Sequence, residues 1–121
     1  MPDLVYREIP KLTIAEINTA LDRNNPEEML EVVISAALFC EDRSFAEDLC
    51  VRLSSHPHFN VRGNAILGFA HIARIDKRLD EATIKPIIQL ALLDEHEFVR
   101  GQANAAKDDV EHYLGWRFRA K

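Results

Sequence analysis

A ten-residue stretch of this chain occurs twice. His56-Pro57-His58-Phe59-Asn60-Val61-Arg62-Gly63-Asn64-Ala65 and Asp94-Glu95-His96-Glu97-Phe98-Val99-Arg100-Gly101-Gln102-Ala103 coincide at His, Val, Arg, Gly and Ala, at an offset of 38 residues. The agreement in character extends outward: Leu49 falls on Ile87, Ile72 on Val110 and Ile75 on Tyr113. A period of this length marks supersecondary units that bury their apolar faces only by stacking on one another. Three such units account for nearly all of the 121 residues.

The segments around the repeat read as helices. Thr13-Ile14-Ala15-Glu16 has the spacing of a capping box and opens a helix to about Arg23. Asn25-Pro26-Glu27-Glu28 gives an N-cap, a proline at the first helical position and acids in the first turn. The helix that follows carries Leu30, Val33, Ile34, Ala37 and Leu38 at helical spacing. Ser44-Phe45-Ala46-Glu47 reads as a second capping box, opening a short helix to about Leu53. Further helices are expected over Phe59 to Ile75, from about Leu79, and over Glu97 to Leu114. Pro86 leaves two choices: Thr83 is the cap and Pro86 lies in the first turn, or the helix kinks there.

The expected fold is therefore all-α: a short α-solenoid of three antiparallel helical hairpins. One domain spans 1–121, with hairpins over about 13–41, 44–75 and 80–114. An arm over 1–12 carries Val5, Tyr6 and Ile9, and a tail covers 115–121. Gly63 and Gly101 each lie one residue after the repeated arginine. A glycine inside a helix costs about 1 kcal/mol relative to alanine. The repeated cost points to close helix contact at both, with Gly68 and Ala70 extending the small surface. Tyr113, Trp116 and Phe118 supply the hydrophobic end cap that a last repeat needs.

At this point the sequence resembles the HEAT-repeat proteins. Val61-Arg62 with Ala65, and Val99-Arg100 with Ala103, match the family's turn followed by Val-Arg and Ala on the second helix. The match covers about residues 44–114, whereas 13–41 lacks the Val-Arg pair. The resemblance implies that the arginine reaches a carboxylate near the turn of an adjoining repeat. That means Arg62 to Asp94, and Arg100 back toward an earlier turn.

Several classes of function find little support. The formal charge is −5, opposed to the excess positive charge that phosphate binding needs. No apolar run approaches the roughly 18 residues of a membrane span. The start, Met1-Pro2-Asp3-Leu4, lacks the pattern of a secretory signal. Cys40 and Cys50 are too few for a disulfide scaffold and read as buried, reduced thiols of a cytoplasmic protein. His58 and His96 are equivalent, but stacked helices lie about 8–10 Å apart, too far to share one zinc. They read as turn or cap residues, and no metal or cofactor is expected. HEAT-like deoxyhypusine hydroxylases bind di-iron through several His-Glu pairs, of which this chain has only His96-Glu97. HEAT-like DNA glycosylases use a basic concave surface, which an acidic chain does not offer.

What remains is binding. Residues 27–48 carry a net −6, whereas 49–79 carry +4 and the tail, with Arg117, Arg119 and Lys121, carries +3. Glu27, Glu28, Glu31, Glu41, Asp42, Glu47 and Asp48 are the expected partner-binding residues, with Trp116 able to act as both cap and anchor. Such a patch steers a basic protein partner. In size, charge and isolation the chain resembles immunity proteins of toxin–immunity systems, including contact-dependent growth inhibition. That resemblance implies one basic protein partner, a toxin domain such as a nuclease, whose active site is occluded. The alternatives are a HEAT-like adaptor using Asn64, Gln102 and Asn104, or a HEAT-like enzyme or lyase acting on a bound prosthetic group.

Overall fold

The computed structural model describes residues 10–118. Six helices follow in order: α1 (Ile14–Arg23), α2 (Pro26–Phe39), α3 (Arg43–Leu53), α4 (Phe59–Asp76), α5 (Glu81–Ala91) and α6 (Glu97–Leu114). No strand occurs among the described residues. The arm residues Val5, Tyr6 and Ile9 and the tail residues Arg119 and Lys121 lie outside them.

Local chemistry sets most of the boundaries. Thr13 and Glu16 form the reciprocal capping box, with the Glu16 amide donating to Thr13 Oγ1 at 3.1 Å and the Thr13 amide to Glu16 Oε1 at 2.8 Å. Asn25 Oδ1 accepts from the amides of Glu27 and Glu28, and Pro26 takes the first helical position. Gly115, at φ 72°, closes α6 in the left-handed conformation. The second expected capping box does not form. Asp42, not Ser44, caps α3 by accepting from the Phe45 amide at 3.0 Å. The earlier start places Arg43 in the first turn, where its guanidinium caps the end of α2 at Cys40 O (2.8 Å) and Ala37 O (2.7 Å). The same guanidinium donates to both carboxylate oxygens of Asp76. Glu47, freed from capping, instead accepts from the Asp80 amide at 3.1 Å. Thr83 does not cap α5. Its hydroxyl donates to Asp80, and Pro86 sits inside the helix, where it supplies no amide donor.

The packing is that of stacked hairpins. Each odd-numbered helix packs on the even-numbered helix that follows it, and α2, α4 and α6 pack side by side. Helix α4, in the middle, carries nine buried residues, among them Ile66, Phe69 and Ile72. Trp116 is only 7% exposed and belongs to the core, so it serves as end cap and leaves little indole for a partner. Phe118 packs on the same core.

The two repeat glycines are not alike. A Cβ on Gly63 would stand 2.5 Å from the Phe98 ring, so close contact holds there. A Cβ on Gly101 would meet nothing within 4 Å, and the residue is exposed. The expected close contact at Gly101 is therefore absent, and either alanine or leucine has room there. The reason is position in the stack. The face of α4 that bears Gly63 meets the next hairpin at Phe98 and Gln102, whereas no element among the described residues packs on the equivalent face of α6. Other equivalent pairs agree. Ile66 and Ala70 are fully buried, whereas their counterparts Asn104 and Asp108 are polar and exposed.

Candidate functional site

The seven acidic residues do not form one patch. Helix α2 has 14 residues and is therefore about 21 Å long. Glu27, Glu28 and Glu31 lie toward its N-terminal end. Glu41 and Asp42 follow its other end, and Glu47 and Asp48 lie on α3.

At the first end, Glu27 is exposed. Glu28 is held by Arg23, with Nε to Oε1 at 3.0 Å and a second, short contact from the other guanidinium nitrogen. The hydrogen bond to Arg23 holds the Glu28 carboxyl below its ordinary range and pushes the guanidinium up. Glu28 and Glu31 line a groove of about 380 Å³ between α1 and α2, with Leu12, Glu16 and Val32.

At the second end the acids have separate roles. Glu41 pairs with Lys11 at 3.2 Å, with side chains 88% and 61% exposed. Exposed pairs of this kind are worth about 0–1 kcal/mol and are easily exchanged. Asp42 caps α3. Glu47 and exposed Asp48 line a crevice of about 290 Å³ with Arg78 and Asp80. A further groove of about 530 Å³ lies between the start of α1 and the α2–α3 connection. It is lined by Leu12, Ile14 and Cys40 together with Lys11, Glu41 and Asp42.

The residues of the turns do more than the sequence reading allowed. Arg62 grips Asp94 with two hydrogen bonds, Nε to Oδ2 at 2.8 Å and Nη2 to Oδ1 at 2.9 Å, as the resemblance implies. Its third nitrogen donates to the carbonyls of His56 and Pro57. Arg100 does not reach back to an earlier turn. It donates to Asp94 O in its own turn, as Arg62 does to His56 O. His56 Nε2 meets Asn24 Oδ1 at 3.0 Å. Each turn is thus joined to the next. The 38-residue alignment puts His56 on Asp94, which is the one signal that could have found the His56 link. His58 and His96 are N-caps, each accepting through Nδ1 from the amide two residues on. Phe59 stacks on both imidazoles, at 5.1 Å and 3.7 Å between centroids. Among the described residues, no three His, Cys, Asp or Glu side chains come together as a metal site. Cys40 and Cys50 are both free and buried, and burial pushes the Cys50 thiol up to about 12.

His56 gives the fold a dependence on pH. Its Nδ1 accepts from the His58 amide, so the proton sits on Nε2, facing Asn24. Burial, then His58 and Arg62, lower its pKa from the ordinary 6.5, and burial and Arg74 do the same to His71. The unfolded chain therefore takes up these protons first. The stabilisation is complete above about pH 6.5 and is lost as pH falls through the depressed folded values. Urea midpoints measured across this range should fall on acidification, with a shallower slope for His56→Gln/His71→Gln. An unchanged slope in that variant would refute the assignment.

No helix among the described residues is long and apolar enough to cross a membrane. No family model matches the chain, and no curated protein matches it. Among solved structures, the chain is similar to a chain in the crystal structure of a CDI complex from Cupriavidus taiwanensis LMG 19424. The two are 25% identical with a TM-score of 0.78, and the match covers 92% of this chain and 98% of that one.

Proposed function

We propose that this chain is the immunity member of a contact-dependent growth inhibition pair, a non-catalytic cytoplasmic protein on a HEAT-like scaffold. It binds a cognate toxin domain with a basic face, such as a nuclease, and neutralises it by covering its active site. The likeness to a chain of a CDI complex over nearly the whole length of both carries this reading. The acidic charge of residues 27–48 supports it, because a nuclease cleft is basic around its substrate and an acidic surface is its complement.

Within this reading the acids differ in how free they are to steer a partner. Glu28, Asp42 and Glu47 are engaged within the fold, by Arg23, the Phe45 amide and the Asp80 amide. Glu27 and Asp48 are exposed and have no ion pair among the described residues. The test is binding to, and growth rescue from, the toxin domain encoded beside this chain's gene. The wild-type chain should bind it and restore growth. The double reversal Glu27→Lys/Asp48→Lys should slow association about tenfold and flatten its salt dependence. Failure of the wild-type chain to bind would overturn the reading. Unchanged association by the double variant would remove charge steering from it.

A further inference from the structure

The groove between the start of α1 and the α2–α3 connection combines three features. Its position is fixed by a bond across the fold: the Leu12 amide donates to Ser35 Oγ at 3.1 Å, and Ser35 is 1% exposed. This holds the residues before α1 against α2 and leaves an opening of about 530 Å³, within the size range of pockets that hold compact ligands. The floor is apolar, from Leu12, Ile14 and Cys40, and Ile14 is 38% exposed. Phe39, next to Cys40, is 42% exposed. The rim is acidic, from Glu41 and Asp42. The single cation there, Lys11, is itself 61% exposed and bound only to Glu41 among the contacts of the described residues.

An apolar floor under a carboxylate rim suits one kind of side chain. Arginine and lysine lay an aliphatic stem on apolar surface and carry a charge at the end. Arginine is also among the residues that dominate protein interfaces. A purely apolar anchor would gain nothing from the acidic rim, and an anionic ligand would be repelled by it. We propose that this groove receives an arginine- or lysine-bearing segment of the protein partner, its stem on Leu12 and Ile14 and its charge on Glu41 and on Asp42 Oδ2, the oxygen that capping leaves unused. The partner's cation displaces Lys11 from Glu41, an exchange that costs little because that pair is exposed. The proposal rests on the toxin-binding reading above, and gives the interface an address.

The test is calorimetric titration of the purified full chain with the neighbouring toxin domain. Ile14→Asp is the first variant. Position 14 begins α1, where the helix dipole favours an acid, so the fold should hold. Glu41→Lys is the second, at a side chain 88% exposed, and decides the matter if the first fails to fold. Each should weaken binding at least tenfold, while Gln89→Lys on α5 changes it less than twofold. If the wild-type chain binds no toxin, the toxin-binding reading falls and the groove's occupant falls with it. If the wild type binds and both folded variants bind within twofold, only the groove is wrong. If sedimentation shows a dimer that Ile14→Asp dissociates, the occupant is a second copy and the proposal is overturned.

Discussion

Arg62→Ala should cost about 3 kcal/mol of folding stability, read as a shift in urea midpoint. Arg62 and Asp94 are each only 16% exposed, so water replaces only part of what is lost. The truncation removes both bonds to the carboxylate and leaves His56 O and Pro57 O without their shared donor. Asp94 is then a half-buried charge without its counterion. Arg62→Lys should recover only part of the loss, because an ammonium cannot make the fork. Arg62→Ala/Asp94→Ala should lose less than the sum of the single variants, since the second change removes the stranded charge. Additive losses would show that the pair contributes no coupling. The pair also has a pH signature. Hydrogen bonding to Arg62 holds the Asp94 carboxyl below its ordinary 3.8. Its contribution is therefore present above that value and is lost as pH falls through the lower folded value, well below the histidine window.

Gly68→Val should cost about 3 kcal/mol, at the upper end of ordinary overpacking. Even the first added carbon would stand 2.5 Å from Cys50 Sγ, with Ala37 Cβ and Cys50 Cβ at 3.6 Å and 3.7 Å. Cys50 is fully buried, so it has nowhere to turn. The contact lies where α2, α3 and α4 meet, so the strain spreads to all three. Cys50→Ala in the same chain should recover much of the loss by removing the sulfur, with thermal melting of the three variants as the measurement. If Cys50→Ala gives no recovery, the Gly68 site is limited by something other than this contact. Gly63 should tolerate substitution better, because the group it would meet is the tip of the part-buried Phe98 ring.

The helices were legible because their signals are local. Thr13 and Asn25 act within three or four residues, the 38-residue repeat gave the stacking, and the HEAT resemblance implied the Arg62–Asp94 pair. What escaped was anything decided by a neighbour distant in sequence. Asp42 outcompeted Ser44 as a cap because the earlier start lets Arg43 reach the end of α2 and Asp76, 33 residues away. Gly101 had the repeat's residue but not its environment, since nothing among the described residues packs against it. The acids were legible as composition and not as a surface. Their count over 27–48 could not reveal that α2 holds the two groups apart, or that Glu28, Asp42 and Glu47 are engaged within the fold. The groove at Ile14 and Glu41 was invisible for the same reason, since its walls come from residues on either side of α1 and α2.

The polar counterparts of buried α4 residues have a consequence for self-association. Repetition supplies a template for endless growth, because each hairpin presents to the next the face it received from the last. Ile66 and Ala70 obey that template, and Asn104 and Asp108 break it. The exposed end of α6 would otherwise be an adhesive face, open to a hairpin of any second copy. Two polar side chains keep it wet. In that sense Asn104 and Asp108 guard the outer face of α6 against a second copy.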